Sequence, residues 1–260
     1  MIEDYLDKDY KEIAENLSRW IKNKVKESGS DGAVVGLSGG IDSSLTSLLC
    51  KKAFPDNTLG LILPCQSNEQ DQIDAIAHAE KFEIDYKIID LKNTYQEFVK
   101  SLNLDNLDRF STSIKNINGD QKLKLALANV KPRLRMAYLY FYANLNNYLV
   151  VGTDNRSELK LGYFTKFGDG GIDLAPLANL TKTEVRKTAA ELNIADKIIN
   201  KAPSAGLWEE QKDETELGMS YEEIDKYILT GEAKEETKTK IENLAKKNSH
   251  KLELPEMPDF

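Results

Sequence analysis

Four short apolar runs, each separated from the next by segments with helical periodicity, constrain this chain more than any other feature. They are AVVGL (33–37), TLGLILP (58–64), IDYKIID (84–90) and YLVVG (148–152). Strand-like runs that alternate with helix-like stretches build βαβ units, so the reading is an α/β fold with a parallel sheet covered on both faces.

Size and charge narrow the rest. With 260 residues and 40% hydrophobic content, the chain can bury one substantial core, and one domain over residues 1–260 is the expectation. Its 43 acidic and 35 basic side chains give a formal charge of -8, which leaves no electrostatic footprint for nucleic acid. Cys50 and Cys65 form neither a CxxC pair nor a zinc-like spacing, which points to a reduced, cytoplasmic setting. The amino terminus is acidic and amphipathic where a signal peptide would be basic and then apolar, and no window reaches the roughly 18 apolar residues of a membrane span. No membrane partner is expected.

Local signals place further elements. Ile13, Leu17, Trp20, Ile21 and Val25 recur at helical spacing, so the first 28 residues read as one helix ended by Gly29. Residues 91–120 read as a short helix and a mobile surface connection. Five Tyr and Phe residues between Tyr138 and Tyr148 suit core packing or a dimer interface equally, and Pro132 kinks or restarts their helix. The 201–217 stretch reads as an exposed lid, with Asp213, Glu214 and Glu216 as solvated charges and Trp208 as a core residue or, better suited to its polar neighbours, the lid's anchor. Thr181 with Glu184, and Ser220 with Glu223, form capping-box patterns. A charged helix over 232–248 and a tail with Pro255 and Pro258 close the chain.

The first strand runs into VVGLSGGIDSSL (34–45), a glycine-rich turn that opens a helix. Ser38, Gly39 and Gly40 let backbone amides point inward, while Ser43 and Ser44 lie where the helix presents unpaired N–H groups and its positive end, so the turn suits an anion. The lysine of a GxxxxGK[ST] loop is missing, which argues against γ-phosphoryl transfer. Asp42 puts a carboxylate into an anion site, which calls for a cation such as Mg²⁺ between it and a phosphate. The plain alternative is that Ser and Asp simply cap the helix.

The SGG-x-DS turn resembles the pyrophosphate-binding loop of the N-type ATP pyrophosphatases, which split ATP between the α and β phosphates. Residues 151–186 (VGTDNRSELKLGYFTKFGDGGIDLAPLANLTKTEVR), 201–225 (KAPSAGLWEEQKDETELGMSYEEID) and 129–136 (NVKPRLRM) are similar to further signatures of the NAD synthetase family within that group. The resemblance implies a doubly wound, mostly parallel sheet flanked by helices, adenine nucleotide alpha-hydrolase-like and Rossmann-like. It implies amidation of deamido-NAD with ammonia, ATP as co-substrate, Mg²⁺ as cofactor, an acyl-adenylate intermediate, and AMP and pyrophosphate as products. It also implies a homodimer with the dinucleotide site near its interface. Nothing resembles a glutamine-hydrolysing nucleophile, and a separate glutaminase partner is left open.

Site residues follow by the same resemblance. ATP contacts fall on Gly36, Leu37, Ser38, Gly39, Gly40, Ile41, Asp42 and Ser43, on the hydroxyls of Thr153 and Ser204, and on Lys182, which supplies from outside the charge the loop lacks. Asp42 and Glu158 match magnesium ligands, and with Lys182 they form the catalytic set. Arg133, Lys166 and Asp173 match deamido-NAD positions, as do His250 and Lys251, although Leu252 stands where relatives carry arginine. The glycines at 168, 170 and 171 permit close backbone approach to a dinucleotide. His78 reads as an ordinary helix residue. Competing readings are another ATP pyrophosphatase acting on a nucleobase or tRNA, a non-enzymatic nucleotide-binding module, and a structural dimer subunit.

Overall fold

The computed structural model describes residues 2–103, 119–204, 206 and 211–258. It opens with two helices, α1 (Ile2–Tyr5) and α2 (Tyr10–Glu27), where periodicity predicts one. The break has a local cause: the Asp9 carboxylate accepts from the Glu12 amide at 2.9 Å and starts a new helix at Tyr10. There follow β1 (Gly32–Gly36), α3 (Ile41–Ala53), β2 (Thr58–Ile62), α4 (Glu69–Lys81), β3 (Asp85–Ile88) and α5 (Lys92–Ser101). Residues 104–118, and with them the mobility expected there, lie outside the described residues. The chain continues through α6 (Gly119–Ala128), α7 (Val130–Asn146), β4 (Tyr148–Val150), α8 (Arg156–Leu161), α9 (Lys182–Glu191) and α10 (Asp196–Ile199). It ends with α11 (Asp213–Leu217), α12 (Tyr221–Thr230) and α13 (Glu235–Asn248).

All four apolar runs are strands of one sheet with order β3-β2-β1-β4, and every pair is parallel. Within β1 the period of two is visible in the packing: Ala33 and Val35 join α2, α3 and α9 on one face, and Val34 joins α5 and α7 on the other. Winding goes from β1 outward to β2 and β3, then returns to place β4 on the opposite side of β1. The carboxyl ends of β1 and β4 therefore flank a switch point, where a parallel sheet leaves a crevice for ligands. A smaller apolar cluster of Leu161, Met219, Tyr221, Ile224 and Ile241 ties α8, α12 and α13 together beside that crevice.

Pro132 falls in the first turn of α7, where its missing N–H would have had no helical partner. The aromatic run divides: Tyr138, Tyr140 and Tyr142 pack into the core, while Phe141 and Leu145 are 60% and 66% exposed. No helix among the described residues is long and apolar enough to cross a membrane. Cys50 and Cys65 are both free and buried.

His78 of α4 is buried against α3, with Nε2 3.1 Å from the Ser47 hydroxyl and Nδ1 without a partner among the described residues. Burial pushes its pKa from 6.5 down to about 4, so folding excludes a proton that the unfolded chain binds in between. The corresponding stability is present above pH 6.5 and is lost as pH falls towards 4, an effect of about 3 kcal/mol. His78→Gln keeps a polar partner for Ser47 without titrating. Thermal melts from pH 7 to 4 are expected to fall more steeply for the parent than for this variant, and parallel curves would contradict the assignment.

Candidate active site

A cavity of about 800 Å³ opens at the switch point. Its walls are the turn after β1, Thr153 and Asp154 after β4, Leu63 and Pro64 after β2, and the 162–172 loop. Lys240, Lys247 and Lys251 at the carboxyl-terminal end of the chain complete it.

The turn is shaped by Gly39, whose φ of +77° suits glycine and whose missing Cβ would lie 2.1 Å from the Asp71 carbonyl oxygen. Hydroxyls from the first turn of α3 brace it: Ser43 Oγ donates to the Gly40 carbonyl at 3.0 Å and accepts from the Ser38 amide at 3.2 Å, and Ser44 Oγ donates to the same carbonyl at 2.9 Å. No side chain caps α3. Ser and Asp are thus not spent as caps here, and the amino end of α3 stays open to an anion.

Lys182 enters this turn from the start of α9. Its ammonium donates to Asp42 at 2.6 Å and to Glu158 at 3.1 Å, with the lysine side chain only 4% exposed. Its position in NLTKTEVR reads as surface, yet it is the buried counter-ion of two carboxylates separated from it by 140 and 24 residues. Burial lowers the Lys182 pKa, but Asp42 and Glu158 outweigh it and hold the group above its ordinary value. Burial pushes the Glu158 carboxyl up, against the pull of Lys182. Asn155 fixes both carboxylates: its Nδ2 donates to Asp42 at 2.8 Å, while its side chain and the Glu158 side chain form a reciprocal capping box on α8. Two carboxylates converging on one cation can equally face a divalent ion that takes its remaining ligands from phosphate.

Tyr221, fully buried at the start of α12, lies with its ring 5.0 Å from the Lys182 ammonium and its hydroxyl 3.4 Å from Glu158 and 3.3 Å from Asp213. Asp213 is buried and lines the cavity, and Glu216 accepts from the Tyr163 hydroxyl at 2.9 Å and from Gln211. Glu214 accepts from the Tyr221 amide. The expectation of solvated lid charges is therefore corrected for Asp213 alone, which α11 turns inward, whereas Glu214 and Glu216 stay exposed as expected while bonding a helix start and a tyrosine hydroxyl. Trp208 lies outside the described residues. Tyr221→Phe removes the one hydroxyl donor that lies between Glu158 and the buried Asp213, and a stability loss of about 1–3 kcal/mol is expected in urea titration. A change within experimental error would show that the hydroxyl is not held there.

The ATP-related positions converge on the cavity: Gly36 through Ser38, Gly40 through Ser43, Thr153, Lys182 and Ser204 line it. Lys201, not singled out in the sequence, pins the start of the 201 segment to the turn through Asp71 at 2.6 Å, Asp74 at 2.8 Å and the Gly39 carbonyl at 3.4 Å. The acceptor-related positions are divided. Lys251 lines the cavity and donates to the carbonyls of Gly162 and Phe164 at 2.7 and 2.8 Å. Arg133, Lys166, Asp173 and His250 lie off its walls. Arg133 donates to the Lys166 carbonyl, and Lys166 to the His250 carbonyl. Asp173 instead accepts from the Tyr140 hydroxyl at 3.0 Å and the Val150 amide at 2.8 Å. Glycines 168, 170 and 171 have their space filled by Pro132, Thr165, Phe164 and Met136, so the close approach they allow is to the chain itself.

Two further pocket residues went unread. Asp154 is buried with one carboxyl oxygen unpartnered among the described residues, and burial followed by Asp169, Glu158 and Asp42 raises its pKa. Arg135 donates to the Leu63 carbonyl and the Ser67 hydroxyl, both at 3.0 Å. Asn155 was legible in principle, since N-x-x-E before a short helix is a capping-box signal.

Comparison with known proteins identifies the family. The family model described as NAD synthase matches residues 13–255. An NH3-dependent NAD+ synthetase of Carboxydothermus hydrogenoformans is 48% identical over 249 residues, covering 96% of this chain and 98% of that protein. Among solved structures, an NMN synthetase from Francisella tularensis superposes with a TM-score of 0.87 at 36% identity, covering 98% of this chain and 100% of that one. An NH3-dependent NAD synthetase from Campylobacter jejuni gives 0.75 at 33% identity, covering 97% and 100%.

Proposed function

Because the chain belongs to the NAD synthase family, we propose that its cavity amidates deamido-NAD to NAD with ammonia, at the expense of ATP. The observation that carries this reading is the meeting of Asp42, Glu158 and Lys182 beside a helix terminus left open to an anion. A carboxylate is a poor electrophile because its leaving group would be oxide. Attack of an acceptor carboxylate oxygen on the α-phosphorus of ATP expels pyrophosphate and gives an acyl adenylate. Ammonia then adds at the acyl carbon, AMP leaves, and the nitrogen gives up a proton.

In this reading the 38–40 turn and the amino end of α3 hold the departing pyrophosphate, which explains why no loop lysine is needed. Lys182 neutralises charge that grows on the phosphates, in a site too buried for water to do so. Asp42 and Glu158 would hold Mg²⁺, which would supply charge neutralisation on the phosphates. No group of three or more His, Cys, Asp or Glu among the described residues could hold a metal ion alone, so phosphate oxygens would complete its shell. Thr153 and Ser204 offer hydroxyls to ATP, and Lys251 holds the 162–164 loop against the acceptor. The enzyme acts in the cytoplasm as a homodimer joined through α7, where Phe141 and Leu145 stand exposed. Arg133, Lys166, Asp173 and His250 serve the dinucleotide near that interface.

A second reading has its own support. The likeness to an NMN synthetase, together with Lys240, Lys247 and Lys251 on the cavity wall, suits nicotinate mononucleotide as acceptor within one chain. Purified protein given ATP, Mg²⁺, ammonium and either acceptor decides between them. NAD and AMP in equal amounts, formed only when all four components are present and with kcat/KM at least tenfold above that for the mononucleotide, is the expected result. The reverse preference favours the second reading, and no AMP with either acceptor overturns both.

A further inference from the structure

We infer that Asp225 is a positioning residue that sets the Lys182–Glu158 contact; the inference rests on the proposed amidation only where it concerns rate. Asp225 belongs to α12, is fully buried, and lines no part of the cavity. Its carboxylate accepts from the Ser157 hydroxyl at 2.5 Å on one oxygen. On the other it accepts from the Thr183 amide and hydroxyl, both at 2.7 Å. The Ser157 hydroxyl in turn accepts from the Lys182 amide at 3.2 Å.

The consequence lies in which residues these are. Ser157 precedes Glu158 in the first turn of α8, and Thr183 follows Lys182 in the first turn of α9. One carboxylate thus joins the amino ends of two helices, each of which carries one member of the catalytic pair. Both helix ends are positive, so an anion between them is favourable, and its bonds are charge-assisted and short. A backbone bond from the Arg156 amide to the Leu180 carbonyl at 2.8 Å also ties the two helix starts together, and Asp225 adds the side-chain link between the residues next to Glu158 and Lys182. With the clamp closed, Lys182 Nζ and Glu158 Oε1 stand 3.1 Å apart. An angular slip at either amino terminus is carried directly to those two side chains.

Asp225→Asn keeps size and one acceptor but removes the charge and turns one acceptor into a donor facing hydroxyls. Its kcat is expected to fall at least tenfold per folded molecule while KM for the acceptor stays within threefold. A crystal structure is expected to show the Lys182–Glu158 contact opened beyond hydrogen-bond reach. A merely structural role would lower the melting temperature and the folded fraction and leave kcat per folded molecule, KM and the contact unchanged. Either an unchanged kcat or an unchanged contact overturns the inference. If Asp225→Asn does not fold, Ser157→Ala removes one arm of the clamp and Thr183→Val removes the hydroxyl bond of the other while its amide bond stays, and both are judged by the same two outcomes. If the parent protein itself makes no amide, the proposed function has failed, and the contact distance alone decides the role of Asp225.

Discussion

Lys182→Met is expected to slow amide formation by about 10²- to 10³-fold, the loss typical of removing one preorganised charge-stabilising group. The same change should destabilise the fold by about 3–5 kcal/mol, because Asp42 and Glu158 lose the cation between them. The pH dependence of that deficit identifies its cause. Burial already raises the Glu158 pKa, and without Lys182 it rises further, so the variant's Glu158 stays protonated to higher pH. A group whose folded pKa is raised destabilises as it is forced to ionise, so the deficit should be small near pH 5 and grow towards pH 8. Urea titrations at the two pH values, with initial rates at saturating ATP, check both parts. A rate within threefold of the parent would place Lys182 outside the reacting site.

Gly39→Ala is expected to remove measurable ATP binding. A positive φ costs an alanine about 1–2 kcal/mol, and its Cβ would also lie 2.1 Å from the Asp71 carbonyl oxygen, with that residue's carbonyl carbon at 2.9 Å. Backbone cannot swing aside as a side chain can, so the turn or the amino end of α4 must move, at a further cost of about 1–3 kcal/mol. Either movement disturbs Lys201, which is bonded to the Gly39 carbonyl and to Asp71. Gly29→Ala is the control: its φ of +74° is similar but nothing lies within 4 Å of the added carbon. Calorimetry should show ATP affinity reduced at least 100-fold for the first variant and retained by the second. Equal affinities would mean that the turn does not hold the nucleotide.

Much of this was legible because local rules and tertiary structure agree. The four apolar runs are the four strands, and parallel pairing followed from the helices between them. The Thr181 and Ser220 capping boxes formed as their sequences predict. The turn after β1 was identifiable because glycine and a helix start leave a chemical signature in consecutive residues. What escaped reading depends on distance in sequence. Lys182 was placed in the site by resemblance, but its burial against Asp42 and Glu158 was not, because a polar helix start such as NLTKTEVR carries no trace of that pairing. Asp213 looked like a solvent-facing charge because its partners, Tyr163 and Tyr221, come from two other segments. Asp9 ended the first helix early because a single cap outweighs a periodicity shared by both sides. Arg133 and Lys166 matched acceptor positions by motif, yet both lie off the cavity walls and bond to neighbouring backbone carbonyls.

The central claim is that ATP is split to adenylate the acceptor carboxylate, and the fate of oxygen tests it most directly. Deamido-NAD carrying ¹⁸O in both carboxylate positions is incubated with ATP, Mg²⁺, ammonium and the protein, and the products are weighed by mass spectrometry. Adenylation transfers one labelled oxygen to AMP and leaves the other in the amide of NAD, so AMP with a single ¹⁸O and unlabelled pyrophosphate is the predicted result. Unlabelled AMP, or label found in pyrophosphate or phosphate, would contradict it.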